Sequence, residues 1–328
     1  MTFCFILALA ASLVMNQSVF AADLAVETRI AGTLSVERMA PVIEAVIAHG
    51  LSNTTSYRQM REGEIISNLA SASDESNRID LAILPTPDSG VRLANEGLLS
   101  ELPIDNIAKE SSHWRGEVVA LFFDPSVILV RSDRFNNSDL PKDRTELVRF
   151  LEDHASELQS RVGLVNIGVD SQSYAYAAQD QLRSPLFWRI AQAFGQLNTR
   201  IYNSNAEIVE AIQKQEIDLA YNVPLSEISF MDQQGMTIIM PEDYIVSQPW
   251  IVVSPSTSGN PLLIEILHHL RNQVVLKQFP NKAFWDIFEN NNFTHTQYVK
   301  IGPELLVFLD PIKKTNILET WFQMVTSQ

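Results

Sequence analysis

The sequence predicts an α/β fold of two Rossmann-like lobes joined by two hinge crossings. Three observations predict it. Short apolar runs alternate with segments of helical periodicity along most of the chain, the pattern of sheets covered by helices. Several of those runs end in small polar residues directly before a helix. Two longer strand-like stretches, Glu117–Arg131 and Met236–Val253, are interrupted at Asp124-Pro125 and around Pro241-Glu242-Asp243. A strand of that length can leave one lobe and enter another.

Taken in order, Ala25–Ala31 reads as the first strand and Val36–His49 as the first helix. That helix carries Val42, Ile43, Val46 and Ile47 on one face, Pro41 near its start and Gly50 as its stop. Asp80–Leu84 is a strand, and Val91–Glu96 a short helix stopped by Gly97. Glu117–Arg131 is the outward crossing. Asp143 and Glu146 form a capping box for a helix to about Leu158. Gly163–Val169 is a strand that runs through Asp170-Ser171-Gln172-Ser173 into a helix. Ser204 and Glu207 make a second capping box, whose helix turns Ile208, Val209 and Ile212 inward. Ile217–Val223 is a strand, and Thr237–Met240 with Trp250–Val253 form the return crossing. Asn260-Pro261 opens a helix to about Arg271. The rest, from Lys277, is mostly helical, with a stop at Asp310-Pro311 and an amphipathic helix over Thr315–Val325.

The chain has 328 residues, room for about two domains. A hydrophobic content of 46% with 19% charged residues supports a full core. Acidic residues outnumber basic ones 39 to 24, a net charge of −15, which disfavours nucleic acid and anionic membranes as partners. Residues 3–14, FCFILALAASLV, are followed by polar Asn16-Gln17-Ser18 and then Val19-Phe20-Ala21. This reads as a secretory signal peptide cut after Ala21, although the usual Lys or Arg at its start is missing, and it implies a periplasmic protein. The apolar run is shorter than the roughly 20 residues that span a membrane. Cys4, the one cysteine, lies inside it, so the mature chain would have no disulfide, no thiolate nucleophile and no Cys-based metal site. The expected division is signal peptide 1–21, first lobe 22–123, second lobe 124–245, and a return to the first lobe with carboxy-terminal helices over 246–328.

No G-x-S-x-G, H-E-x-x-H, phosphate-binding or dinucleotide-binding signature is present. The six histidines are scattered, and His268-His269 would diverge by about 100° on a helix. No catalytic residue, metal site or cofactor is assigned, so an enzyme is not expected. The tryptophans read as core, with Trp250, beside the return crossing, the one placed to touch a ligand. What stands out is a set of loops: Gly32-Thr33-Leu34-Ser35, Pro85-Thr86-Pro87-Asp88-Ser89, the crossing at Asp124, Asp170-Ser171-Gln172-Ser173, and Tyr221-Asn222. Each alone reads as a helix cap. Ligands of open α/β sheets bind beyond the carboxyl ends of strands, and two lobes would bring these five ends face to face across one cleft.

Seven stretches then carry a family resemblance: RLANEGLLSELP (92–103), WRGEVVALFFDPSVILVRSD (114–133), VDSQSYAYAAQDQ (169–181), FWRIAQAFG (187–195), IDLAYNVPLSEI (217–228), MPEDYIVSQPWIVVSP (240–255) and IGPELLVFLDPIKKTNILETW (301–321). Together they resemble bacterial periplasmic solute-binding proteins of ABC importers, of the type II fold and the ferric-iron-type, extracellular solute-binding family 1 branch. The resemblance implies two lobes that close on a ligand. It carries Thr33, Ser35 and Thr86 onto the first lobe, Asp124 onto the hinge, and Ser171, Ser173, Tyr221 and Asn222 onto the second. The implied ligand is a small polar or anionic solute such as a phosphonate, a carboxylate or a chelated metal. The implied partner is an inner-membrane ABC permease or, in an alternative reading without transport, a membrane histidine kinase, with the protein itself a monomer. Ferric-iron binders of this branch place adjacent tyrosines where this chain has Ala220-Tyr221-Asn222-Val223-Pro224, and Ser-rich stretches where it has Pro85-Thr86-Pro87. Direct iron binding is therefore not expected.

Overall fold

A computed structural model describes residues 27–48, 55–71, 77–102, 112–136, 138–228, 235–258, 263–271 and 295–326. The expected signal peptide and the helical reading over 277–294 lie outside these residues.

Strand β1 (Thr28–Gly32) leads into helix α1 (Val36–Ala48), where the Ser35 hydroxyl accepts the Arg38 N–H at 3.4 Å. The buried stripe of α1 is Met39, Val42, Ala45 and Val46, spaced three, three and one residues apart along one helix face. It is rotated from the expected face, so Ile47 is 39% exposed. Strand β2 (Thr55–Gln59) and helix α2 (Glu62–Ala70) follow. Neither is legible from the sequence: β2 is polar along its length, and Gly63 interrupts the helical pattern that buries Ile65 and Leu69. Strand β3 (Leu81–Leu84) precedes α3 (Pro87–Asn95). This helix starts four residues before the expected Val91, because proline fits the first helical turn, where its missing N–H costs nothing.

After the short β4 (His113–Trp114), β5 (Val118–Arg131) runs unbroken through Asp124-Pro125. Helix α4 (Arg144–Asp153) is capped as expected, with Asp143 accepting the Glu146 N–H at 2.7 Å. It ends before α5 (Ala155–Leu158) at His154 instead of running through. Strand β6 (Val162–Val165) stops short of Val169, because the Asn166 side chain accepts the Gly168 N–H at 2.9 Å and turns the chain. Then come α6 (Ser171–Arg183), α7 (Leu186–Gln196), β7 (Arg200–Tyr202), α8 (Asn205–Gln213), β8 (Leu219–Pro224), α9 (Leu225–Ile228), β9 (Met236–Ile239) and β10 (Ile245–Val253). The chain finishes with α10 (Leu263–Arg271), β11 (Thr296–Tyr298), a 3-10 segment at Pro303–Leu309 and α11 (Pro311–Thr326). The expected stop at Asp310-Pro311 is instead a start: Asp310 accepts the Lys313 N–H at 2.9 Å and Pro311 opens α11.

The strands order as β2-β1-β3-β10-β5-β8-β6-β7, with β11 beside β10 and both β4 and β9 beside β5. Two strands hold the lobes together. Residues 119–125 of β5 pair antiparallel with β10, whereas residues 126–131 pair with β8 and β9. The change of partners falls at Pro125, which has no N–H to give to a ladder. On the other side of the exchange, β10 follows β9 of the second lobe and pairs with β3 of the first.

One core cluster joins Ile65, Leu69, Ala82, Val91 and Ile251 in the first lobe. A second joins Val130, Leu147, Phe150, Val162, Phe194 and Leu219 in the other. Trp321 and Val325 of α11 belong to that second cluster, so the carboxy-terminal helix packs on the second lobe, against α7. The approach is close enough that a Cβ on Gly195 would lie 2.0 Å from the Met324 carbonyl oxygen.

Candidate functional site: the cleft between the lobes

Loop ends of both lobes meet around the amino end of α6. Asp170 caps that helix by accepting the Ser173 N–H at 2.7 Å. Ser171, the first helical residue, donates its hydroxyl to Glu62 of α2, across the cleft. The other oxygen of Glu62 accepts the hydroxyl of Thr86, at the start of α3. One first-lobe carboxylate thus ties two helix amino termini, one from each lobe, where the helix dipoles favour negative charge. Beside it, Arg38 of α1 makes a two-point ion pair with Glu227 of α9, both distances 2.9 Å.

The floor of the cleft is the hinge. Asp124 is fully buried. Its carboxylate accepts the Ser226 N–H at 3.0 Å, the Ser226 hydroxyl at 2.5 Å, the Trp250 indole N–H at 3.1 Å and the Gln172 amide at 3.5 Å. Its backbone carbonyl accepts the Tyr176 hydroxyl at 2.7 Å. Both hinge strands and two second-lobe helices therefore converge on one residue. Burial pushes the Asp124 carboxyl up to about 6, even though these bonds favour its charged form. Asp88, on the first turn of α3, is likewise pushed up to about 6, by burial first and then by the nearby Glu62.

Behind the cleft lies a second polar cluster. Arg144, 1% exposed, donates to Asp180 (3.0 Å), the Tyr221 hydroxyl (2.9 Å), Asp243 (2.9 Å) and the Tyr244 carbonyl (2.7 Å). Tyr221 and Tyr244 both donate to Asp180. Burial opposes the Arg144 charge, but the surrounding Tyr221, Asp180, Tyr244 and Asp243 outweigh it and hold its pKa above the ordinary value.

The eight sequence-predicted site residues divide accordingly. Thr86 and Ser171 share Glu62 across the cleft, and Asp124 lies buried in the hinge beneath them, bonded to Gln172, which follows Ser171 in α6. Ser35 lies at the start of α1, beside Arg38, and Thr33 is half-buried in the preceding bend. Ser173, Tyr221 and Asn222 instead line an apolar cavity inside the second lobe, with Leu164, Phe194 and Trp321. The Ser173 hydroxyl accepts an Asn205 amide N–H at 3.1 Å, and Asn222, with φ +58°, donates to Asp180 at 3.3 Å. The sequence reading assigned no role to Arg38, Glu62, Ser226 or Glu227, and it placed Asp88 in the Thr86 loop without choosing it. Ser226 and Glu227 carried a readable signal, since they follow the β8 turn at Pro224 just as the chosen residues follow theirs. Among the described residues, no three of His, Cys, Asp and Glu form a group able to hold a metal ion.

No family model and no curated protein matches this sequence. Solved structures do. The substrate binding protein of an ABC transporter from Agrobacterium tumefaciens aligns over 93% of this chain and 96% of its own, with TM-score 0.79 and 22% identity. The chain has the substrate-binding protein fold. Iron-bound HitA from Pseudomonas aeruginosa shares this fold at TM-score 0.64 and 14% identity, over 91% of this chain and 99% of its own. A periplasmic thiamin binding protein shares it at TM-score 0.65 and 12% identity, over 91% and 96%. The substrate-binding protein fold thus extends over nearly the full length of all three proteins, and it holds iron in one and thiamin in another.

Proposed function

We propose that this chain is the exported solute-binding component of an ABC-type importer, closing its two lobes on a small polar solute and presenting it to a membrane permease. The observation that carries the reading is the Glu62 carboxylate, held by Thr86 of its own lobe and Ser171 of the other. Polar loop ends of both lobes are brought within bonding distance of one another only when the cleft is shut. Contacts of that kind give a trap its closed state, and a solute favours closure by the contacts it adds there. We keep the division into a first lobe to residue 123 and a second over 124–245, supported by the exchange of strand partners at Pro125. The protein acts without catalysis, as a monomer, in the periplasm.

The test is native mass spectrometry of gently purified mature protein, followed by small-angle scattering with whatever solute it retains. The expected result is an added mass lost on denaturation, and a smaller radius of gyration when that solute is restored to stripped protein. A bound solute that leaves the radius unchanged at saturation overturns the trap.

A further inference from the structure

Carboxylates outnumber cations in the cleft. Glu62, Asp88, Asp124, Asp170 and Glu227 lie close enough to act on one another's charge or to share partners around α6. Arg38 is engaged by Glu227. The Lys314 ammonium sits 4.8 Å from the centre of the Tyr174 ring, and its charge also reaches Asp88. An acidic cluster by itself specifies no ligand.

A second observation does. Asp88 is 7% exposed and Gln248 1%. Asp88 Oδ1, Gln248 Oε1 and Gln248 Nε2 all lack a hydrogen-bond partner. Both side chains line one cavity of about 10 Å³ between the lobes, room for a single water-sized head group, against Ala175 and Gln179 of α6 and Phe308. Buried polar atoms are normally satisfied, and leaving them unmet is costly. The side-chain oxygen of neighbouring Gln179 accepts Arg183 at 2.5 Å and bonds none of these atoms.

We propose that the solute carries a protonated amine, and that this group docks between Asp88 of the first lobe and Gln248 on the hinge strand. This rests on the solute-binding reading above. An ammonium group has donors for Asp88 Oδ1 and Gln248 Oε1 together. A solute with only anionic groups would set a further negative charge beside Asp88 and Glu62 and leave Gln248 Oε1 unmet.

The test uses the full mature chain, unfolded, dialysed free of solute and refolded. Its melting temperature is recorded with 4-aminobutyrate, ethanolamine and putrescine, and with the amine-free succinate, butane-1,4-diol and inorganic phosphate. Calorimetry on any hit is repeated with Asp88→Asn and Gln248→Leu, each first checked for an intact melting transition. Amines alone should raise the melting temperature, and Asp88→Asn should weaken binding about 10- to 100-fold, with a smaller loss for Gln248→Leu. Three results overturn the assignment: no amine binds, only amine-free anions bind, or an amine binds indifferently to Asp88→Asn. An anion that binds and compacts the chain overturns the amine and leaves the trap standing. An amine that binds through Asp88 without compaction does the reverse.

Discussion

Arg38 and Glu227 meet across the cleft through both guanidinium Nη atoms and both carboxylate oxygens, at 2.9 Å each. Their side chains are only 19% and 14% exposed, so the pair is less screened than a surface ion pair, and its two-point geometry is the stronger kind. It joins α1 to α9 and involves no solute, so it biases the free protein toward closure. Arg38→Met and Glu227→Gln should each enlarge the radius of gyration of solute-free protein and lower its melting temperature by only a few degrees. In a double-mutant cycle the pair should show a coupling of about 1 kcal/mol. Unchanged scattering in both single variants would remove the latch.

The Arg144 cluster is a different matter, because Arg144, Asp180, Tyr221 and Tyr244 are all buried. Removing the guanidinium strands Asp180 without its counter-charge, whereas removing the Tyr221 hydroxyl leaves the ion pair in place. Arg144→Met should therefore cost about 3–5 kcal/mol in chemical denaturation, and Tyr221→Phe about 1–2 kcal/mol. Equal costs for the two would mean that the hydrogen bonds, not the charges, hold the hinge strand to the second lobe.

What is legible in the sequence depends on the range of the interaction. Local signals carry well: Asp143 and Ser204 cap their helices as expected, with Oδ1 and Oγ accepting from the third helical N–H, although Glu146 and Glu207 close back on Lys142 and Asn203 N–H, one residue before the cap. The crossing at Asp124-Pro125 is legible because a proline in mid-strand cannot donate to a ladder, so it marks a place where the pairing must change. Tyr221 lies beyond the reach of such signals. Strand alternation cannot tell which face of β8 meets the cleft and which meets the interior, and Tyr221 serves Arg144, 77 residues away. Glu62 escapes for a related reason. Its helix is hidden by Gly63, and its partners, Thr86 and Ser171, are 24 and 109 residues distant.

Gly195 gives a packing prediction. The α7–α11 approach leaves no room for a side chain, since the nearest obstacle is the Met324 backbone oxygen and not a movable side-chain end. Gly195→Ala should displace α11 from the second lobe and cost about 1–3 kcal/mol. Hydrogen exchange should rise across 311–326 and remain unchanged in β1 and β3. Unaltered exchange in that helix would show that α11 can shift at no cost.

Asp88 makes two pH trends run in opposite directions. Its folded-state pKa is raised to about 6, by burial and by Glu62, with Lys314 pulling the other way. A carboxyl whose pKa rises on folding binds its proton more tightly in the folded state. Stability is then greatest below the unfolded value near 4, falls as pH rises through about 6, and levels above it. Asp124, also raised to about 6, adds to the same slope, and each group contributes up to about 3 kcal/mol. Asp88→Asn should remove its part of that slope in urea titrations between pH 4 and 7 without touching the part from Asp124. Amine affinity should move the other way, because the ammonium needs the ionised carboxylate. Binding should strengthen by up to about tenfold per pH unit as pH rises toward 6 and become constant above it. An affinity that stays flat from pH 5 to 7 while the stability slope persists would place the amine somewhere other than Asp88.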